Sequence, residues 1–352
     1  MKLPIQNGLC LSLLSLFTAC SPPPIGGNSN DTRGGGEAGG DRRPHVAYVS
    51  NGVASFWVIA EAGVNKGGEE FDADVTVRMP VEGISDQKRM IEDLVTLGVD
   101  GMAVSPIDPE NQTELLNRTA KHTKLITHDS DAPDSDRLCY IGMDNYDAGR
   151  LCGELVREAL PDGGKVAIFI GRLEQDNAKR RRQGLIDSIL GRDSDSSRSD
   201  PPDAKLETDQ WNIVGTYTDQ FDRAQGKANV EDVLSRHPDI DGMVGLFAYN
   251  PPLMLEALKQ ADKLGEVQVI GFDEADETLQ GIKDGHVYGT VAQNPFEYGR
   301  QSVRVLVGLV NGVSLSQLGI PDSGIMHIPA RQIRPGNVDE FWAELKKNLG
   351  ET

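Results

Sequence analysis

Polar side chains able to hold a ligand recur at one kind of place in this 352-residue chain, shortly after short apolar runs. Ser50 and Asn51 come after HVAYV, Asp129-Ser130-Asp131 after KLITH and Phe221-Asp222-Arg223 after NIVGTYT. Asn250, Asp273-Glu274 and Gln293-Asn294 come after three later runs. Carboxylates accept hydroxyl protons, and Asn, Gln and Arg supply directional donors. That is the set a buried polyhydroxylated molecule needs, because each of its hydroxyls both donates and accepts. Phe56, Trp57 and Phe221 stand in the same polar stretches, and their flat faces suit the apolar face of a sugar ring. For any single residue, capping of the next helix explains an Asp or Asn equally well. Capping does not explain the three aromatics, in a chain only 5% aromatic.

The same residues bear on catalysis. Asp129 and Asp273 are the one pair of carboxylates that a glycosidase reading could use. No feature marks an activated nucleophile, and a cleft that encloses a monosaccharide leaves no room for a leaving group, so binding without chemistry is expected. A formal net charge of −19 argues against nucleic acid, whose phosphates must be met by Lys and Arg.

In open parallel α/β sheets, ligands bind beyond the carboxyl ends of the strands, so strands should end at these residues. Short β-branched runs do: HVAYVSN (45–51), DVTVRMP (74–80), GMAVSP (101–106), KLITHD (124–129), RLCYIGM (137–143), KVAIFIG (165–171), NIVGTYT (212–218), GMVGLFA (242–248), VQVIGFD (267–273) and YGTVAQN (288–294). Helical stretches alternate with them, as in SDQKRMIEDLVTLG (85–98), where Met90, Ile91, Leu94, Val95 and Leu97 cluster at helical spacing. About ten such units overfill one open sheet and suit two doubly wound parallel sheets. A closed eight-stranded barrel is the rival, disfavoured by that count and by a break at IGMDNYDAGR (141–150). The polar stretch 190–210 reads as a long surface loop, and 325–348 as one more strand and a helix beginning near Asn337.

At the N-terminus, Lys2 and the apolar run Leu9 to Ala19 have the make-up of a signal-peptide core, too short to span a bilayer. Thr18 and Ala19 precede Cys20 in a pattern resembling a lipobox, with Phe17 where Leu is usual. Residues 1–19 are thus expected to be removed, Cys20 to carry lipid, and the Gly- and Pro-rich segment 20–44 to act as a tether. A plain cleaved signal peptide with an incidental cysteine is the other reading. In the globular part Cys139 and Cys152 remain. Export is compatible with a disulfide between them, and each position equally suits a buried thiol.

The chain from His45 to about Asn348 resembles the periplasmic sugar-binding proteins of the ribose-binding type, whose two-lobed fold is shared with the effector domain of the lactose repressor family. The motifs are VSNGVASFW (49–57), THDSDAP (127–133), YIGMDNYDAGR (140–150), NAKRRRQGL (177–185), TYTDQFDRAQG (216–226), LFAYNPPLMLEAL (246–258), VIGFDE (269–274) and TVAQNP (290–295). The resemblance implies ring-stacking by Phe56, Trp57 and Phe221, and hydroxyl binding by Asp129, Arg181, Asn250, Asp273 and Gln293, with Ser50 beside them. Two positions depart: Ala54 and Ser130 stand where the ribose binders carry Asn and Arg, so some small sugar or polyol is expected rather than ribose itself, with Asp131 reaching in as a substitute. Arg180 and Arg182 are expected to face solvent. The acidic calcium loop of glucose and galactose binders is not visible, since 177–182 is cationic, so neither metal nor cofactor is implied.

The resemblance further implies a hinge crossed near Asp144-Asn145, near Gln293-Asn294 and near 322–325. One lobe would hold 45–144 and 294–322, the other 145–293 and 323–348. The implied role is that of an exported monomer delivering its ligand to an ABC-type permease, or presenting it to a membrane receptor or histidine kinase. A transcription regulator of this fold would need a helix-turn-helix before residue 45, where the Gly-rich stretch stands.

Overall fold

The computed structural model describes residues 42–351. The signal-like run, Cys20 and the tether up to residue 41 lie outside the described residues.

The first half alternates strands β1 (His45–Val49), β2 (Asp74–Arg78), β3 (Gly101–Val104), β4 (Lys124–His128) and β5 (Tyr140–Gly142) with helices α1 (Ser55–Glu70), α2 (Ile84–Leu97) and α3 (Pro109–Ala120). The middle runs α4 (Asn145–Ala159), β6 (Gly164–Ile170), α5 (Asp176–Ile189), β7 (Leu206–Glu207), β8 (Trp211–Thr218), α6 (Arg223–Arg236), β9 (Gly242–Gly245), α7 (Asn250–Gln260), β10 (Gln268–Phe272), α8 (Asp276–Lys283) and β11 (Gly289–Ala292). The last part is α9 (Pro295–Val310), β12 (Ile325–His327), β13 (Arg331–Ile333) and α10 (Val338–Asn348).

These form two α/β lobes. One sheet has the order β12-β5-β4-β3-β1-β2 and the other β13-β11-β10-β9-β6-β8-β7. All pairings are parallel except those of the edge strands β7 and β13. The central strands are buried on both faces, which is why their sequences read as continuous apolar runs.

The chain passes between the sheets three times. After β5, Asp144 caps α4 by accepting from the backbone N–H groups of Tyr146 (2.9 Å) and Asp147 (3.1 Å). After β11, Asn294 caps α9 by accepting from Glu297 (3.1 Å). The third passage differs from the sequence expectation near 322–325: Ile325–His327 pairs in parallel with Tyr140–Gly142, and the N–H of Ile328 still bonds the carbonyl of Gly142 at 2.7 Å. The passage falls after Ile328, because β5 needs a neighbour to take up its outer backbone groups.

The first two passages each deliver a helix onto the opposite lobe, where glycines permit close approach. A Cβ on Gly149 of α4 would stand 2.0 Å from the carbonyl oxygen of Arg181, and one on Gly184 of α5 would stand 1.9 Å from that of Tyr146. The packing of α9 on α1 uses Gly299 and Gly63 in the same way.

Two other expectations change. Leu97 is 61% exposed, since on α2 the inner stripe runs through Ile91 and Leu94. Arg182 does not face solvent: its guanidinium donates to Thr216 Oγ1 (2.8 Å), Asp200 O (2.8 Å) and Pro201 O (3.2 Å). The stretch 190–210 is largely the surface loop expected, and it is stapled down by these bonds, with Arg192 and Arg198 also paired to the buried Asp187. Cys139 and Cys152 are free thiols in the cores of different lobes, and burial pushes each up to about 12.

Gly184→Ala should force α4 and α5 apart. A loss of about 1–3 kcal/mol in urea unfolding is expected, with Gly285→Ala, whose Cβ would meet open space, as the comparison for left-handed strain alone.

Candidate functional site between the lobes

Two carboxylates occupy matching places. Asp129 follows β4 with φ 57°, and its N–H bonds Ile141 O of β5 at 3.1 Å. Asp273 follows β10 with φ 65°, and its N–H bonds Val291 O of β11 at 2.9 Å. A left-handed backbone at a residue bearing a side chain costs about 1 kcal/mol, so both strands end in a strained turn of the kind that recurs at ligand sites. Both residues are buried.

Asp129 Oδ2 accepts from Ser105 Oγ (3.0 Å), Asn51 Nδ2 (3.3 Å) and Asn177 Nδ2 (3.3 Å). Asn177 lies on α5, in the other lobe, so this bond bridges the cleft. Lys179 of the same helix pairs with Glu110 of α3 at 3.2 Å, and the two lobes line a cavity of about 130 Å³ beside that pair. Burial pushes the Asp129 carboxyl up to about 6, although the Arg181 charge and the donated bonds pull it down; the charge of Asp273 pushes it up further. Burial likewise raises Asp273, opposed by Arg181 and by a 2.7 Å bond from Gln293 Nε2.

Arg181 is the cation between them, 1% exposed. It donates to Leu246 O (2.7 Å) and Asn145 Oδ1 (3.1 Å) and lies 3.9 Å over the Phe272 ring. Holding a guanidinium this way fixes its direction. Gln293 Oε1 in turn accepts from Tyr298 at 3.1 Å.

The remaining expected residues are placed as follows. Phe56 and Trp57 are buried edge to face at 4.8 Å, within a first-lobe aromatic cluster that includes Tyr48, His128 and Tyr298. Phe221 is 37% exposed, flanked by Phe247 at 5.5 Å and by the Arg172 guanidinium at 4.5 Å. Asn250 opens α7, where its Oδ1 accepts from Phe247 N at 3.0 Å and its Nδ2 faces Asp219 at 3.4 Å. The Ser50 hydroxyl is spent on Gly52 O at 2.7 Å. Asp131 does not join the group: both its oxygens are taken by Arg137 (2.5 and 2.7 Å), and Thr127 adds a third bond at 2.6 Å.

Three residues escaped the sequence reading. Ser105 follows β3 and could have been found by the strand-exit rule that found Asn51. Asn177 sat inside a quoted motif four positions before Arg181, on the same helix face. Gln175, just before α5, carried no signal, since a glutamine in a polar loop looks solvent-facing. It is fully buried, and neither its amide oxygen nor its nitrogen has a partner among the described residues.

Two α/β lobes crossed three times by the chain, with opposed carboxylates and a fixed guanidinium between them, define a solute-binding protein of the two-lobed type I fold. The chain belongs to the family described as Periplasmic binding protein domain, which it matches over residues 46–314. It is similar to the ribose import binding protein RbsB of Bacillus subtilis, 27% identical over 318 residues that cover 89% of this chain and 94% of that protein. It is also similar to the D-ribose/D-allose-binding protein of Pseudomonas aeruginosa, 24% identical over 71% of this chain and 77% of that one. Among solved structures, an ABC transporter solute binding protein from Burkholderia graminis in complex with D-arabinose superimposes with a TM-score of 0.75 at 27% identity, covering 84% of this chain and 97% of that one.

A raised carboxyl ties stability to pH. For Asp129, the contribution is full below its unfolded value near 4 and is lost as pH rises through about 6. Asp129→Asn should therefore stabilise the ligand-free protein at pH 7.5, by up to about 3 kcal/mol, and confer no such gain at pH 4. Paired urea titrations at the two pH values check this.

Proposed function

We propose that this chain is an exported binding protein that captures a small sugar or polyol between its lobes and delivers it to an ABC-type permease, with Cys20 as the lipid anchor. It acts as a binder and not as an enzyme. The lobes that close are 45–144 with 294–328 and 145–293 with 329–348, the second boundary following the third passage. The observation that carries the reading is the pairing of Asp129 and Asp273, one from each lobe, buried around Arg181 and ringed by amides. Such groups satisfy hydroxyls in pairs, and a ligand that bridges both lobes favours the closed state. The names of the relatives, binders of ribose, allose and arabinose, support the same class. Anchoring is supported by the Thr18-Ala19-Cys20 sequence alone.

Calorimetric titration with D-ribose, D-allose, D-arabinose, D-xylose, D-fucose and inositols should give saturable binding with at least one of them. Silence across the panel would overturn the reading. Asp273→Ala should weaken that binding at least about 100-fold, the cost of a lost charged acceptor, with an unchanged circular dichroism spectrum. Phe221→Ala should weaken it less, about tenfold, through lost ring stacking.

Gln175→Leu offers a sharper separation. Its amide has no partner among the described residues, so removing it should leave the melting temperature unchanged or raise it while lowering sugar affinity. A fall in melting temperature with affinity retained would assign Gln175 to structure instead.

A further inference from the structure

Met143, the residue between β5 and the cap of α4, has both of its backbone hydrogen-bonding groups engaged by tyrosine hydroxyls. Its N–H donates to Tyr298 Oη at 3.1 Å, and its carbonyl lies 3.3 Å from Tyr140 Oη. Tyr298 leads on to the carboxylate of Asp273, and Tyr140 to the backbone of Asp129. The nearer acceptor of the Tyr140 hydroxyl is the carbonyl of Asp129 itself, at 2.9 Å. Tyr298, its acceptor side occupied by Met143, gives its proton to Gln293 Oε1 at 3.1 Å, and Gln293 Nε2 donates to Asp273 Oδ1 at 2.7 Å.

We infer that Tyr298 and Tyr140 are positioning residues: through Gln293, Tyr298 ties the Asp273 carboxylate to the hinge residue Met143, and Tyr140 ties the backbone of Asp129 to that same residue, so that both strand-end turns are anchored at the hinge about which the lobes move. The inference rests on the reading of the two carboxylates as ligand-holding groups. Its geometry is specific. Tyr298 is fully buried, and its one hydroxyl joins Met143, at the first passage, to Gln293, at the second. Buried groups bonded in series fix one another, because a break anywhere leaves an amide or hydroxyl without a partner. Gly142 shows how tightly the second tyrosine is placed: a Cβ there would stand 2.1 Å from Tyr140 Oη. Only a residue without a side chain lets that hydroxyl lie across the hinge strand. The Tyr298 ring is held by other contacts as well, edge-on to Phe56 at 6.3 Å, so removing its hydroxyl leaves the packing in place.

The experiment compares the wild type with Tyr298→Phe, Gln293→Ala and the double variant. In the ligand-free proteins, the carbon-13 carboxyl signal of Asp273 is followed against pH; affinities are measured by calorimetry with D-ribose, D-allose and D-arabinose. Tyr298→Phe should move the Asp273 midpoint upward, because a loosened Gln293 amide supports the carboxylate less well. It should weaken sugar binding about tenfold and add no further loss in the Gln293→Ala background. A residue that only stabilises the fold would lower the melting temperature and leave the Asp273 midpoint where it was. An unmoved midpoint, or an equal loss of affinity in both backgrounds, overturns the inference. Tyr140→Phe is the independent arm, expected to weaken binding with the Asp273 midpoint unchanged; wild-type affinity there removes Tyr140 from the unit. Because the midpoint is read without ligand, a wild type that binds none of these sugars counts against the proposed function and leaves the relay to be decided by the titration.

Discussion

Two carboxylates are buried around one guanidinium, and most of what surrounds them answers that constraint. A buried charge is tolerated only when paired and hydrogen-bonded. Here the cation shared by Asp129 and Asp273 is Arg181, whose charge lowers both against the effect of burial, while the buried Glu274 beside Asp273 is raised by burial and by that neighbour's charge. The shortfall is met by neutral donors from several elements, with Ser105, Asn51 and Asn177 on one carboxylate and Gln293 on the other. Arg181 itself is aimed by Asn145 and Leu246 and seated on Phe272. Among the described residues' buried groups without a partner, the Gln175 amide and the Arg172 Nε lie within the short segment between β6 and α5, and Ser130 Oγ and Glu274 Oε2 lie next to the two aspartates.

The two lobes solve the same problem with the same local plan. In each, a central strand ends in an aspartate with a left-handed backbone, the next strand accepts that residue's N–H, and the chain then leaves for the other lobe through a capped helix. The helix that arrives is seated by glycines against a helix already there. The carboxylates are therefore placed by sheet register and by helix contact at once, and neither depends on a free loop.

Much of this was legible in the sequence. Buried parallel strands give continuous apolar runs, and polar residues at their ends mark the carboxyl edge, so the α/β class and residues such as Asp129, Asp273 and Gln293 stood out, while Arg181, inside a helix, was implied only by the family resemblance. What the sequence hid follows from pairing across long separations. Nothing local says that Asp131 is claimed by Arg137 six residues on, that Arg182 turns inward to hold carbonyls at 200 and 201, or that Gln175 is buried without a partner. The third passage was misplaced by a few residues for a similar reason: a three-residue strand such as β12 exists because β5 needs a neighbour, and that requirement sits some 180 residues earlier in the chain.

That late strand has a consequence for the order in which the molecule can assemble. The segment 325–333 supplies the outermost strand of both sheets, β12 in one and β13 in the other, and its partners β5 and β11 are left with open edges until it arrives. Neither lobe can finish while the chain is still growing from its N-terminal end; both wait for the same few residues near the C-terminal end. Contacts of such long sequence separation form slowly, so the outer edges of β5 and β11 are covered only by pairing with a segment near the far end of the chain.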